Sequence, residues 1–312
     1  MLRRSLLFLS ERDRLKQALL KMRSARRVAS RFVGGETIED AIGVTGDLNA
    51  QGFRVTLDYL GESVSDTLEA DRAAVTYETS LARIAASGVS ATISLKPTQL
   101  GLDIDLETCV RNVKRVVEAA AAAGSFVRLD MEGSQHTQPT LDLLGRVFET
   151  HRNIGVVIQA YLHRSESDID ALVQLGAPVR LCKGAYSEPA SIAYPRKEDI
   201  DANFVHLMRR LLAAGRGRPS VGGVPPVAIA THDDRMIEAT RSHVESHAFD
   251  VGAFEFQMLY GVRRDYQVRL LEEGYHVRIY VPYGTEWYPY FMRRMAERPA
   301  NLWFVTRTIL GR

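Results

Sequence analysis

Cysteine is nearly absent from this chain. Cys109 and Cys182 are the only two in 312 residues, too few for a disulfide framework or a zinc site built from thiolates, which suits a reducing cytoplasm. An excess of one charge is lacking as well: 40 Lys and Arg face 38 Asp and Glu, a net +2. The arginines are scattered, and no basic block is interleaved with stacking aromatics, so nothing here points to nucleic acid. Long apolar runs are missing. The opening MLRRSLLFLS starts basic, but its apolar stretch is short and ERDR follows at once, which fits neither a signal peptide nor a spanning helix. No G-x-G-x-x-G follows a strand-like run, which weighs against a dinucleotide-binding Rossmann domain. Repeats at solenoid spacing are absent too.

What is present is a rhythm. From Phe53 onward, short β-rich runs alternate with helix-like stretches: FRVTLDYLG, ATISLKP, FVRLDME, GVVIQAYL, PVRLCKGAY, VAIATH, FEFQMLYG and VRIYVPYG. Periodic segments such as Leu106 to Ala122 and Ile200 to Ala213 lie between them. Eight such β-then-α units predict a single (β/α)8 TIM barrel of class α/β rather than an open sheet. GRGRPSVGGVPP, Gly215 to Pro226, has linker composition, but the alternation resumes after it, so it is expected to be a long loop within one domain. Residues 1–50 read as a helical segment ahead of a barrel spanning 51–312. Leu15, Leu19, Leu20 and Met22 give that segment an apolar side. Packing on the barrel is its expected use, with peripheral contact at the inner face of the cell membrane as the alternative.

Barrel enzymes carry their chemistry at the C-terminal ends of the strands. Those ends hold Lys96, then Asp130 and Glu132, Gln159 and Tyr161, Lys183 and Tyr186, Thr231 and His232, Gln257, and Tyr280. A purely structural barrel has no need of a functional side chain at nearly every rim position, so the pattern indicates an enzyme. Lys96, ahead of Pro97, suits a Schiff base, an ion pair or a snorkelling surface position. Asp130 and Glu132 flank Met131 and, on a strand, would point the same way, which calls for a cation between them or a raised pKa. THDD (Thr231 to Asp234) hints at a metal, but no second strand ends in histidine, and no metal is expected. Arg180 interrupts an apolar strand and, if buried, requires an anionic partner. Cys182 reads as an inert core thiol. The KGAY turn, Lys183 to Tyr186, offers backbone amides for close approach and a lysine suited to phosphate. After the last strand, Thr285 is a plausible N-cap, and Tyr290, Arg293, Arg294 and Glu297 share one stripe of the helix that follows. Paired guanidiniums there suit a carboxylate clamp; a solvated helix face is the plainer reading.

Taken together, RLCKGAY (Arg180 to Tyr186), ATHD (Ala230 to Asp233), FEFQMLYG (Phe254 to Gly261) and YVPYGTEWYPYFMRR (Tyr280 to Arg294) resemble the flavin-dependent proline dehydrogenase family. SLKP around Lys96, RLDME around Asp130 and VIQAY around Gln159 add to the likeness, which covers Phe53 to the C-terminus and suits the monofunctional bacterial type. The resemblance implies a distorted barrel with FAD across its mouth and the last helix moved over that mouth. It implies oxidation of L-proline to 1-pyrroline-5-carboxylate, hydride transfer to flavin N5, electrons passing to a membrane quinone, and a separate pyrroline-5-carboxylate dehydrogenase for the next step. By matching positions, Lys96, Arg293 and Arg294 hold the substrate carboxylate. Tyr280 and Tyr290 shape the pocket, and Tyr186 and Leu259 pack on the ring. Arg180 sits near flavin N5, Gln159 contacts the isoalloxazine edge, and Asp130 orders the pocket. Met131, Lys183, Gly184, Ala185, Thr231 and His232 line the FAD site, with Lys183 toward the pyrophosphate or ribityl chain. Two rivals remain: a hydroxyproline dehydrogenase, disfavoured because Tyr280 keeps its hydroxyl, and a Schiff-base aldolase using Lys96 or Lys183.

Overall fold

The computed structural model describes residues 30–61 and 64–297, with the side chains of the last helix described through Met292. Eight parallel strands close into a barrel in chain order: β1 (Arg54–Tyr59), β2 (Ala91–Leu95), β3 (Val127–Leu129), β4 (Ile154–Gln159), β5 (Val179–Cys182), β6 (Val227–Ala230), β7 (Phe254–Leu259) and β8 (Val277–Tyr283). All eight expected runs supply a strand. β8 pairs with β1 through Val55↔Ile279 and Tyr59↔Tyr283, which seals the sheet. Closure removes both sheet edges, so every strand is hydrogen-bonded on two sides.

Local chemistry sets the helix limits. α1 (Ile38–Ala50) opens on a capping box in which Thr37 and Asp40 satisfy each other's backbone N–H. α2 (Thr67–Ser87) starts where Asp66 accepts from the Glu69 amide at 2.8 Å and stops at Gly88, whose φ of 72° is left-handed. α3 (Leu106–Ala122) has the bounds its periodicity predicts and is capped by Asp105. Its Cys109, Val113, Val116, Val117 and Ala120 are fully buried against the barrel, and each valine contributes roughly 1.5–3 kcal/mol by leaving water. α4 (Thr137–Phe148), α5 (Ser165–Leu175), α6 (Lys197–Gly215), α7 (Asp234–Ser246), α8 (Arg264–Glu272) and α9 (Trp287–Glu297) complete the described helices. The segment after Gly215 folds into a short turn held by the Val221↔Val224 bridge, so it is a loop between α6 and β6. α9 begins two residues past Thr285.

Outward strand residues pack under the helices: Val277, Ile279 and Val281 of β8 are 0–1% exposed. The inward set departs from the branched aliphatic filling usual for such barrels. Arg54, Gln257 and Arg278 meet on Glu255, Thr56 bonds Thr92, Arg128 donates to the Pro178 carbonyl, Arg180 to Asp130, and Asp58 accepts from Lys96. At the N-terminal end of the strands, Arg278 Nε lies 2.6 Å from Glu255, and Arg54 reaches the same carboxylate at 3.2 Å. Arg278 also donates to the carbonyl oxygens of Val55 and Gly223, tying the Val221–Val224 turn across the floor.

Candidate active site

At the opposite end of the strands a cavity of about 830 Å³ opens. Its polar centre is built from four strands: β2, the end of β3, β5 and β8. Arg180, inward on β5, places Nη1 2.8 Å from Asp130 Oδ1 and 3.2 Å from Ser94 Oγ. Ser94 donates to the same carboxylate oxygen at 2.6 Å, and the Tyr280 hydroxyl donates to the other at 2.7 Å. The Arg180 guanidinium also stands 5.4 Å from the Tyr280 ring centre. A buried arginine therefore has the anionic partner it requires, two strands away rather than next door. Its Nε and Nη2 are nevertheless buried without a partner among the described residues. Each unpaired donor costs about 1–3 kcal/mol, which marks a place where a ligand acceptor belongs. Burial, together with Asp130, drives the Tyr280 hydroxyl well above its usual range, so it remains a donor.

Lys96, just past β2, sets its ammonium 3.4 and 3.5 Å from the two oxygens of Asp58. Burial raises the Asp58 carboxyl and Asp130 raises it further, against the pull of Lys96. Glu132 turns elsewhere: it accepts from the Thr98 amide at 3.2 Å and the Thr98 hydroxyl at 2.8 Å, which fixes the turn after Lys96. The expected Asp130–Glu132 pair is thus corrected. β3 stops at Leu129, so the alternation that would align the two carboxylates has ended before either residue.

Gln159, at the end of β4, donates to the Met131 carbonyl at 3.1 Å and leaves Oε1 buried without a partner among the described residues. Gly184 follows β5 with φ of 109°, and a Cβ there would fall 2.1 Å from the Tyr161 ring, so only glycine permits the turn. Lys183 is bound to Asp201 and, at 2.7 Å, to Asp233. Burial pushes the Asp233 carboxyl up, but hydrogen bonds from Lys183 and Lys197 outweigh it and the net shift is downward. Asp201 and Asp233 are shared with Lys197 and Arg235, so two carboxylates face three cations around Lys183. Asp233 also caps α7 by accepting from the Arg235 amide at 3.0 Å, so the THDD stretch has structural work other than metal binding. His232 accepts at Nε2 from the Leu259 amide at 3.1 Å, and Thr231 accepts from the Asp233 amide at 3.1 Å. Burial pushes the Cys182 thiol up to about 12, which keeps it protonated.

The cavity wall includes Lys96, Asp130, Met131, Gln159, Arg180 and the Lys183–Tyr186 turn. Thr231, His232, Leu259, Tyr280 and, from α9 above, Tyr290 complete the expected set there. Arg293 and Arg294 lie on α9, but their side chains fall outside the described residues. Asp58 was missed. Its signal was the period-two polar run Arg54–Thr56–Asp58, which continues inward to the rim.

Comparison with known proteins bears on this geometry. The family profile described as "Proline dehydrogenase" matches residues 41–307. Proline dehydrogenase 1 of Bacillus subtilis subsp. natto is 40% identical over 310 residues, covering 99% of each chain. Proline dehydrogenase of Deinococcus radiodurans is 37% identical across 99% of this chain and 97% of its own. Among solved structures, proline utilization A from Bdellovibrio bacteriovorus, inactivated by N-propargylglycine, superposes with a TM-score of 0.78 at 24% identity. That match covers 87% of this chain but 32% of the longer one, and it speaks to fold alone.

Proposed function

The chain belongs to the proline dehydrogenase family, and on that footing we propose that it oxidises L-proline to 1-pyrroline-5-carboxylate with FAD held across the barrel mouth. One observation carries the reading: Arg180, at the cavity wall, keeps Nε and Nη2 buried without a partner among the described residues, so it has donors to spare for an acceptor-rich ring. The remaining wall fits the same group. Gln159, also at the wall, has Oε1 without a partner among the described residues, and Gly184 lets backbone approach closely. The cavity volume falls within the range typical of cofactor sites. Arg180 and Gln159 would hold the isoalloxazine, with Met131, Ala185, Thr231 and His232 along the rest of the cofactor. The flavin, when bound, supplies a hydride acceptor at N5.

The protein's own groups do the rest. Proline loses hydride from a ring carbon most readily when its nitrogen is neutral and its lone pair free. Lys96, joined by Arg293 and Arg294, would bind the carboxylate, and clustered cations also disfavour the protonated amine. Tyr280, pinned by Asp130, and Tyr290 would wall the ring, with Tyr186 and Leu259 against its faces. Arg180 would set a fixed positive charge beside the isoalloxazine, where such a charge favours an electron-rich ring. Both lysines once considered for Schiff-base chemistry stand in ion pairs. Neither stands in the unpaired, desolvated setting that frees a lysine lone pair.

We assign the electrons to a membrane quinone and the next oxidation to a separate pyrroline-5-carboxylate dehydrogenase, both on family grounds. Residues 1–50 are read as a helical segment ahead of the barrel of 51–312, and residues 1–29, with Leu15, Leu19, Leu20 and Met22, lie outside the described residues. A cytoplasmic protein at the inner face of the membrane suits that acceptor. Among the described residues no helix is long and apolar enough to cross a membrane. The test is the absorption spectrum of the purified protein under anaerobic conditions. Flavin bands that bleach on adding L-proline are expected; a colourless protein trapped by borohydride with a keto acid would replace this reading with the lyase.

A further inference from the structure

Asp58 has no part in the roles assigned so far, yet it is the most buried carboxylate bordering the cavity, 2% exposed against 9% for Glu132. It ends β1 one inward step beyond Thr56, with Ser94 of β2 and Pro282 of β8 as its strand neighbours. Its two oxygens lie at nearly equal distances, 3.4 and 3.5 Å, from the Lys96 ammonium. Contacts of that length compensate charge while sitting at the outer limit of hydrogen bonding. The ammonium therefore keeps donors for a second, closer acceptor. The pair is also directional. The Asp58 side chain is 3% exposed and that of Lys96 is 21%, so the carboxylate stands inside the wall and the ammonium faces the cavity. Glu132 meanwhile anchors the backbone after Lys96 through the Thr98 amide. The stem of Lys96 is thus fixed by one carboxylate and its tip is aimed by another.

We infer that Asp58 is the positioning residue of the substrate-carboxylate site: its charge holds the Lys96 ammonium at the cavity wall, pointed to where an anionic imino acid arrives. The inference rests on the proposed reading of Lys96 as a carboxylate partner. A lysine side chain has four rotatable bonds, and holding it before the substrate arrives removes that ordering from the binding step.

The test is a double-mutant cycle on the holoenzyme with Asp58→Asn, Lys96→Met and the two combined, read by KM and kcat for L-proline and by Tm. Asp58→Asn keeps the side-chain volume, and it is expected to raise KM roughly tenfold with kcat and flavin content little changed. In the Lys96→Met background it should leave KM where it was, because the group it positions is gone. Lys96→Met alone should lower Tm by a few degrees, since it strands a buried carboxylate, and adding Asp58→Asn should restore most of that loss. This second readout stands even if Asp58→Asn alone fails to fold. A KM unchanged or lowered in Asp58→Asn overturns the inference, as does a rise that persists without Lys96, which is the mark of a packing role. A Tm not restored in the double variant overturns it too. An unchanged KM in Lys96→Met removes the Lys96 reading and this inference together, whereas a raised KM there with Asp58→Asn inert removes the inference alone.

Discussion

Two arginines are buried in this barrel against a carboxylate, and their surroundings differ. Arg278, near the floor, has Nε on Glu255 at 2.6 Å, Nη1 on the Val55 carbonyl at 2.9 Å, and Nη2 on the Gly223 carbonyl at 3.0 Å. Every nitrogen is used. Arg180, at the mouth, spends only Nη1, on Asp130 and Ser94, and leaves two nitrogens without partners among the described residues. A closed network of this kind has nothing left to offer a ligand, so its value lies in holding strands together. An open one is unfinished until something else supplies acceptors. The contrast follows the general division of labour in such barrels, stability at the bottom and chemistry at the top.

The comparison can be broken most directly at the floor. Glu255→Leu should cost about 3–5 kcal/mol in urea unfolding, because it leaves Arg278 buried and uncompensated; a loss under about 1 kcal/mol would erase the distinction. At the mouth, Arg180→Met should lower kcat/KM by about 10²–10³ while destabilising less than the floor variant. Comparable stability losses in the two would mean both arginines are structural. Arg293→Ala or Arg294→Ala should each raise the proline KM roughly tenfold and leave flavin content intact; an unchanged KM in both variants removes the clamp from the mouth.

The smallest effect is in the pH dependence of stability. Burial pushes Glu255 up, but Arg278 and its hydrogen bonds outweigh that, so its folded pKa is depressed. Its stabilisation is present above the unfolded carboxylate range and is lost as pH falls, so the gap between wild type and Glu255→Gln should narrow below about pH 4. Asp58 is shifted the other way by burial. Stability should fall as pH rises from the unfolded carboxylate value through its folded one, so Asp58→Asn should gain on wild type across that window. Urea melts at stepped pH separate the two slopes, and parallel slopes would contradict the assignment.

Much of this was legible in the residues. The alternation of short β-rich runs with helix-like stretches located all eight strands, since an outer face buried under helices keeps each run rich in β-branched and apolar residues. The rim positions followed from the strand ends, and Lys96, Asp130, Gln159, Arg180 and Tyr280 do border one cavity. Partners were harder to read. The partners of Lys183, Asp201 and Asp233, lie 18 and 50 residues away. Glu255 and Arg278 are brought together only by the register that sets Gln257 beside Arg278. The Asp130–Glu132 expectation failed because β3 is three residues long, a boundary that propensity does not fix to within two positions.

The ionic filling of the barrel also sets how the fold responds to heat. Exposing apolar surface raises the heat capacity of unfolding, whereas exposing polar surface lowers it. A centre made of Arg128, Arg180, Arg278, Glu255 and Gln257 therefore gives a flatter curve of stability against temperature than a hydrocarbon centre of equal volume. The hydration that such ions forgo also becomes less favourable on warming. Relative to an aliphatic equivalent, this interior loses less of its advantage in the hot range.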